Sequence, residues 1–96
     1  MSAYFIANIR MKDVDAYQPY LKDVDEILEK YSGVYLALED NPRVLEGGWP
    51  YTRLALIRFP NMELLNRWYF SDEYQAILRY RLEGAECDTI IVPGKE

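Results

Sequence analysis

Residues 3–10, Ala-Tyr-Phe-Ile-Ala-Asn-Ile-Arg, alternate as a strand does: Phe5, Ala7 and Ile9 fall on one face, Tyr4, Ile6 and Asn8 on the other. Both faces carry apolar groups, so both are expected to be covered. Over residues 13–32 the period lengthens. Val14, Tyr17, Leu21, Val24, Leu28 and Tyr31 recur three or four positions apart, which predicts an amphipathic helix. Pro19 falls in its early turns, where it either kinks the helix or marks the end of a short first turn. Gly33 supplies the C-terminal stop.

The alternating period returns in residues 34–40 (VYLALED), ended by Asn41-Pro42, and residues 43–50 (RVLEGGWP) allow a short strand before a glycine-rich turn. Residues 52–59 (TRLALIRF) predict a further strand closed by Pro60. Asn61 is placed to cap a helix over MELLNRWYF and Ser71 to cap another over DEYQAILRYRLEG, with Asp72 and Glu73 at its positive end. Residues 87–93 (CDTIIVP) complete the set as a last strand. The order is β-α-β-β-α-β, with the second helical region broken at Ser71. It predicts an α+β, ferredoxin-like fold with an antiparallel sheet, residues 1–96 forming one domain. That arrangement covers one sheet face with helices. A bare face of about a dozen apolar side chains exceeds what monomers expose, so packing against a second copy is expected.

Composition narrows the function. No apolar run is long enough to span a membrane, and the N-terminus does not read as a signal peptide. A single cysteine, Cys87, fits a reducing compartment, and the protein is read as cytoplasmic. Eleven basic against sixteen acidic residues give a net charge of −5, and the arginines are scattered rather than gathered in a stripe, so nucleic acid is not an expected partner. There is no histidine at all. Its absence removes the commonest general base near neutral pH, the usual axial ligand of haem and imidazole-based zinc sites. No haem, flavin or tightly held transition metal is expected; any chemistry falls to Arg, Tyr, Asp, Glu, Asn or Trp.

Several separated motifs then fall into one pattern: Leu-Glu-Gly at 45–47, Phe-Pro-Asn at 59–61, Trp-Tyr at 68–69, Ser-x-Glu-Tyr at 71–74, and Arg81 seven residues after Tyr74. In these the chain, from Tyr4 to Gly94, resembles the domain-of-unknown-function thirteen-thirty family of the dimeric α+β-barrel superfamily. Asp72 stands where the family commonly has proline, and both suit the first turn of a helix. The resemblance implies a homodimer whose sheets pack into a barrel, with a cavity in each subunit between sheet and helices. The superfamily includes cofactor-independent monooxygenases, haem-degrading enzymes, isomerases and ligand-sensing regulators, and fold alone does not choose among them. Asn8, Trp68 and Ser71 are similar in placement to residues of the haem-degrading monooxygenases. The position ten after the tryptophan, where those enzymes bind haem through histidine, is Leu78.

The candidate site follows. Tyr74, Leu78 and Arg81 share one helical face. An arginine on such a stripe needs a partner, either Glu46 in a structural ion pair or the anionic group of a ligand. Tyr74 either packs with its hydroxyl on the backbone or donates and orients a proton. Asn8 is either a satisfied strand amide or a donor to a developing oxyanion. Trp68 is core or cavity wall; Glu46 and Ser71 complete the candidate ligand contacts, and Tyr69 and Phe70 are expected to pack. The glycines after Glu46 read as a turn, and Cys87 as a small buried hydrophobe. The expected function is binding of a small aromatic or carboxylate-bearing molecule, with cofactor-independent oxidation or proton transfer if the protein is an enzyme. A non-catalytic ligand-binding or stress-response module and a protein-interaction domain are the alternatives.

Overall fold

The computed structural model describes residues 1–95. Along the chain follow β1 (Ala3–Met11), α1 (Val14–Lys30), β2 (Val34–Asp40), β3 (Arg53–Phe59), α2 (Met62–Tyr69), α3 (Asp72–Gly84) and β4 (Ala85–Pro93). The strands form one sheet in the order β2-β3-β1-β4, with every neighbouring pair antiparallel. This is the α+β ferredoxin-like fold, with its second helical region divided between α2 and α3.

Each helix starts on a side-chain cap. The Asp13 carboxylate accepts from the Ala16 N–H at 3.2 Å, Asn61 Oδ1 from the Leu64 N–H at 2.8 Å, and Ser71 Oγ from the Tyr74 N–H at 3.1 Å. Ser71 Oγ also donates to the Trp68 carbonyl at 2.8 Å, closing α2 as it opens α3. α1 runs through Pro19 without interruption. Its end differs from expectation. Ser32, not Gly33, takes the left-handed conformation, with φ 64°. Gly33 is needed for space, since a Cβ there would stand 2.5 Å from Leu28 Cδ1 and 2.9 Å from Phe59 Cε1. Residues 43–50 form no strand; Gly47 turns at φ 78° within a largely exposed loop. β4 begins at Ala85, two residues earlier than the pattern indicated.

The stripe that α1 buries is also shifted. Tyr17, Tyr20, Val24, Ile27 and Leu28 are buried, whereas Val14 and Leu21, two members of the predicted stripe, are exposed. On one face of the sheet Phe5, Ala7, Ile9, Ala55, Ile57 and Phe59 meet Leu65, Trp68, Tyr74, Ile77 and Leu78 in a single core. Among the described residues no helix covers the other face, where β1 register places Ile6 between Leu56 and Ile90, and Asn8 between Leu54 and Asp88.

Gly84 ties the layers together beside the candidate site. Its carbonyl accepts the Lys12 and Asp13 N–H groups, both at 2.9 Å. A Cβ at Gly84 would stand 2.8 Å from the Tyr17 backbone nitrogen. This close approach holds Tyr17 of α1 against the last turn of α3, the turn that carries Arg81.

Candidate functional site

A cavity of about 230 Å³ lies between α1 and the helix-facing side of the sheet, with Arg81 of α3 reaching into it. Phe5, Ala7 and Ala55 form its apolar floor. Its polar lining is Tyr17 and Tyr20 from α1, Tyr35 from β2, Arg53 from β3, Arg81, and Asp25 on the exposed side of α1.

Tyr17 and Tyr20 sit three residues apart on one helical face, and their rings meet edge to face at 5.3 Å. The Tyr20 hydroxyl lies 2.8 Å from that of Tyr74 in a buried hydrogen bond that either can donate. Burial pushes the Tyr17 phenol up to about 12 and those of Tyr20, Tyr35 and Tyr74 upward as well. All four are therefore neutral hydroxyls near pH 7.

Arg81 is 3% exposed. Its guanidinium carbon lies 5.8 Å from the Tyr20 ring centroid, and its Nε has no hydrogen-bond partner among the described residues. No carboxylate pairs with it there either: the ion pairs are Lys12–Glu86, Lys30–Glu73, Arg53–Asp40 and Arg67–Glu63. Burial alone would depress the Arg81 pKa, yet the net direction is upward because Tyr74, Tyr20 and Cys87 favour the cation. That attraction needs phenolate and thiolate. At neutral pH the phenols are protonated, and the guanidinium stands desolvated without an anion.

The residues singled out from sequence take different places. Only Arg81 lines this cavity. Tyr74 stands one layer behind it, in contact through Tyr20. Trp68 is fully buried in the core, 4.2 Å from the Tyr74 ring and 5.1 Å from Phe5 by ring centroids. The Ser71 hydroxyl is engaged at both helix ends. Asn8 is on the helix-free face, because strand parity sets it opposite to Phe5 and Ala7. Glu46 lies in the exposed β2–β3 loop beside Arg43 and Trp49, around a separate depression, and does not meet Arg81. Tyr69 packs beside Phe5 and Trp68, but Phe70 is 69% exposed because it follows the last turn of α2. Cys87 is half-buried in β4 opposite Ile9. The sequence reading missed Tyr20, Tyr35 and Arg53. Tyr20 stands three residues after Tyr17, a spacing that was available as a signal.

Among the described residues no three His, Cys, Asp or Glu side chains gather as a metal site. No described helix is long and apolar enough to cross a membrane. What the cavity presents is a buried cation, a second arginine and neutral phenol donors around an apolar floor, with the Asp25 carboxylate at its solvent-exposed edge. Such a lining suits an anionic group on an apolar body.

The family described as "Domain of unknown function (DUF1330)" matches residues 2–95. The chain belongs to it. No curated protein matches this DUF1330 chain. Among solved structures, the RPA0582 protein of unknown function from Rhodopseudomonas palustris superimposes with a TM-score of 0.79 at 14% identity, covering 99% of this chain and 84% of its own. A dimeric ferredoxin-like protein of unknown function from Jannaschia sp. CCS1 gives 0.80 at 10% identity, covering 98% and 100%. SnoaB, a cofactor-independent oxygenase from Streptomyces nogalater, gives 0.70 at 3% identity, covering 99% and 94%. At these identities the likeness shows the fold alone.

Proposed function

We propose that this DUF1330 protein binds a small carboxylate-bearing molecule with an apolar or aromatic body in the cavity between α1 and the sheet. The observation that carries this reading is Arg81: a guanidinium 3% exposed, facing a cavity of about 230 Å³, with no carboxylate among the described residues to neutralise it. An uncompensated buried charge costs several kcal/mol. A ligand carboxylate removes that penalty through charge-assisted hydrogen bonds, and the neutral Tyr20 hydroxyl supplies a further donor. The apolar floor accepts the rest of the molecule.

A second reading is favoured by the Tyr20–Tyr74 hydrogen bond at 2.8 Å. In it the bound molecule is turned over by proton transfer or cofactor-free oxidation, with Tyr20 in contact and Tyr74 behind it as proton donor or orienting partner. The fold shared with a cofactor-independent oxygenase is compatible with that reading. We further propose a homodimer through the helix-free face, where Ile6, Leu56 and Ile90 form an apolar row; two neighbours of the same fold are described as dimeric. The subunits work in a reducing compartment, in keeping with the single free Cys87.

The test is a thermal-shift screen of benzoate, phenylacetate and short-chain carboxylates against wild type and Arg81→Leu. At about 100 Kd a ligand stabilises the wild type by about 2.7 kcal/mol, and Arg81→Leu loses that response. Equal stabilisation of both proteins, or of neither, contradicts the proposal.

A further inference from the structure

We infer that the natural ligand is a dianion, a dicarboxylate whose acidic groups are separated by a short apolar spacer, held between Arg81 and Arg53. The inference rests on the reading of the cavity as a carboxylate site and adds a second anchoring group. Both arginines line the same cavity. On the helix-facing side of the sheet, β3 sets Arg53 beside Ile9 of β1, and β4 sets Cys87 on the other side of Ile9. Arg81 reaches the same cavity from the last turn of α3, directly before β4. Adjacent strands are about 4.8 Å apart, so Arg53 and the strand that follows Arg81 are separated by roughly 10 Å of backbone, with Ile9 between them. Tyr17 lines the same cavity as both arginines.

Arg53 has an ion-pair partner, and the geometry of that pair decides whether the arginine is available. Asp40 Oδ1 lies 3.3 Å from Arg53 Nε, but the N–H is not aligned on it, and Nε has no hydrogen bond among the described residues. The Asp40 side chain is 69% exposed and solvated, whereas that of Arg53 is 20% exposed. A screened surface carboxylate is a weak competitor for a half-enclosed guanidinium. Asp25, also in the lining, is exposed to solvent like Asp40; a monoanion therefore leaves one of the two more enclosed guanidinium groups without an anionic contact, and a dianion supplies one to each. The phenols of Tyr17 and Tyr35 are neutral and favour neither sign.

The experiment compares benzoate with isophthalate, the same ring with one more carboxylate, by isothermal titration calorimetry. Isophthalate is expected to bind wild type roughly tenfold or more tightly, the value of one added charge-assisted hydrogen bond. Arg53→Gln should erase this advantage, bringing the affinity ratio of isophthalate to benzoate down to about one. Asp40→Asn frees Arg53 and should tighten isophthalate alone, and Arg53→Lys should retain part of the advantage; these two carry the comparison if Arg53→Gln does not fold. The inference is overturned if isophthalate binds no better than benzoate, or if its advantage survives Arg53→Gln. If benzoate binds through Arg81 in that case, the carboxylate-site reading stands without the second anchor. If neither compound binds, both readings fall.

Discussion

Replacing Arg81 by methionine keeps an unbranched side chain of similar reach and removes the charge. The native guanidinium is buried at 3% exposure and lacks a carboxylate among the described residues. Desolvating an ion costs several kcal/mol even after relaxation. Against that stand the approach to the Tyr20 ring at 5.8 Å, about 0.5–2 kcal/mol, and packing that methionine largely restores. The difference predicts that Arg81→Met is more stable than wild type by about 1–3 kcal/mol near pH 7. For a chain of this size each kcal/mol raises Tm by roughly 4–8 °C. Equilibrium urea unfolding at one fixed protein concentration measures the change, and an unchanged m-value confirms that the states compared are the same. A site that trades stability for binding should behave in this way. A loss of about 3–5 kcal/mol would instead mean that Arg81 neutralises a group of the folded protein, and the argument for a ligand anion would fail.

Three further outcomes follow from the geometry. Burial raises the Tyr17 pKa from 10.0 to about 12, so its stabilising contribution is complete below pH 10 and is lost as pH climbs toward 12; about 3 kcal/mol from this phenol alone should disappear over that window, read by stability measured at stepped pH, and flat stability to pH 12 would contradict it. Gly84→Ala places a methyl 2.8 Å from the Tyr17 backbone nitrogen and should destabilise the fold by about 1–3 kcal/mol, with a weaker ligand response because Tyr17 is displaced; unchanged melting and binding would show that the two helices can separate freely. Leu56→Glu puts a charge in the apolar row of the helix-free face, paired with Ile6, and should convert a dimer to monomer in sedimentation velocity; a monomeric wild type at micromolar concentration refutes the proposed assembly.

Much of the fold was legible because strands, caps and turns are local. Asn61 and Ser71 occupy the caps their chemistry suits, and period-2 alternation sorted β1 onto its two faces. The site was less legible, for reasons that particular residues make plain. The same alternation already set Asn8 apart from Phe5 and Ala7, but only the placement of the helices tells which face adjoins Arg81. On α1, counting from Val14 selected Leu21 and passed over Tyr20. The helix leans on α3 through Gly84, which turns Tyr17 and Tyr20 inward and leaves Val14 and Leu21 outside. Arg53 carries no local signal, since a charged residue opening a strand normally faces solvent; its role depends on β2 and β1 flanking it. Glu46, a plausible partner for Arg81 by charge, sits at the far side of a loop whose path no periodicity specifies.

The central claim is that the Arg81 guanidinium receives the ligand's carboxylate. The most direct measurement is the arginine Nε–Hε correlation spectrum of nitrogen-15-labelled protein during a benzoate titration, with the Arg81 signal assigned by its absence in Arg81→Met. Because Arg81 Nε is buried and has no partner among the described residues, its proton should move strongly and saturably downfield as a charge-assisted hydrogen bond forms, while exposed Arg67 and Arg79 stay fixed. An Arg81 signal that stays still while benzoate binds, or that shifts only in step with the surface arginines, would contradict the account.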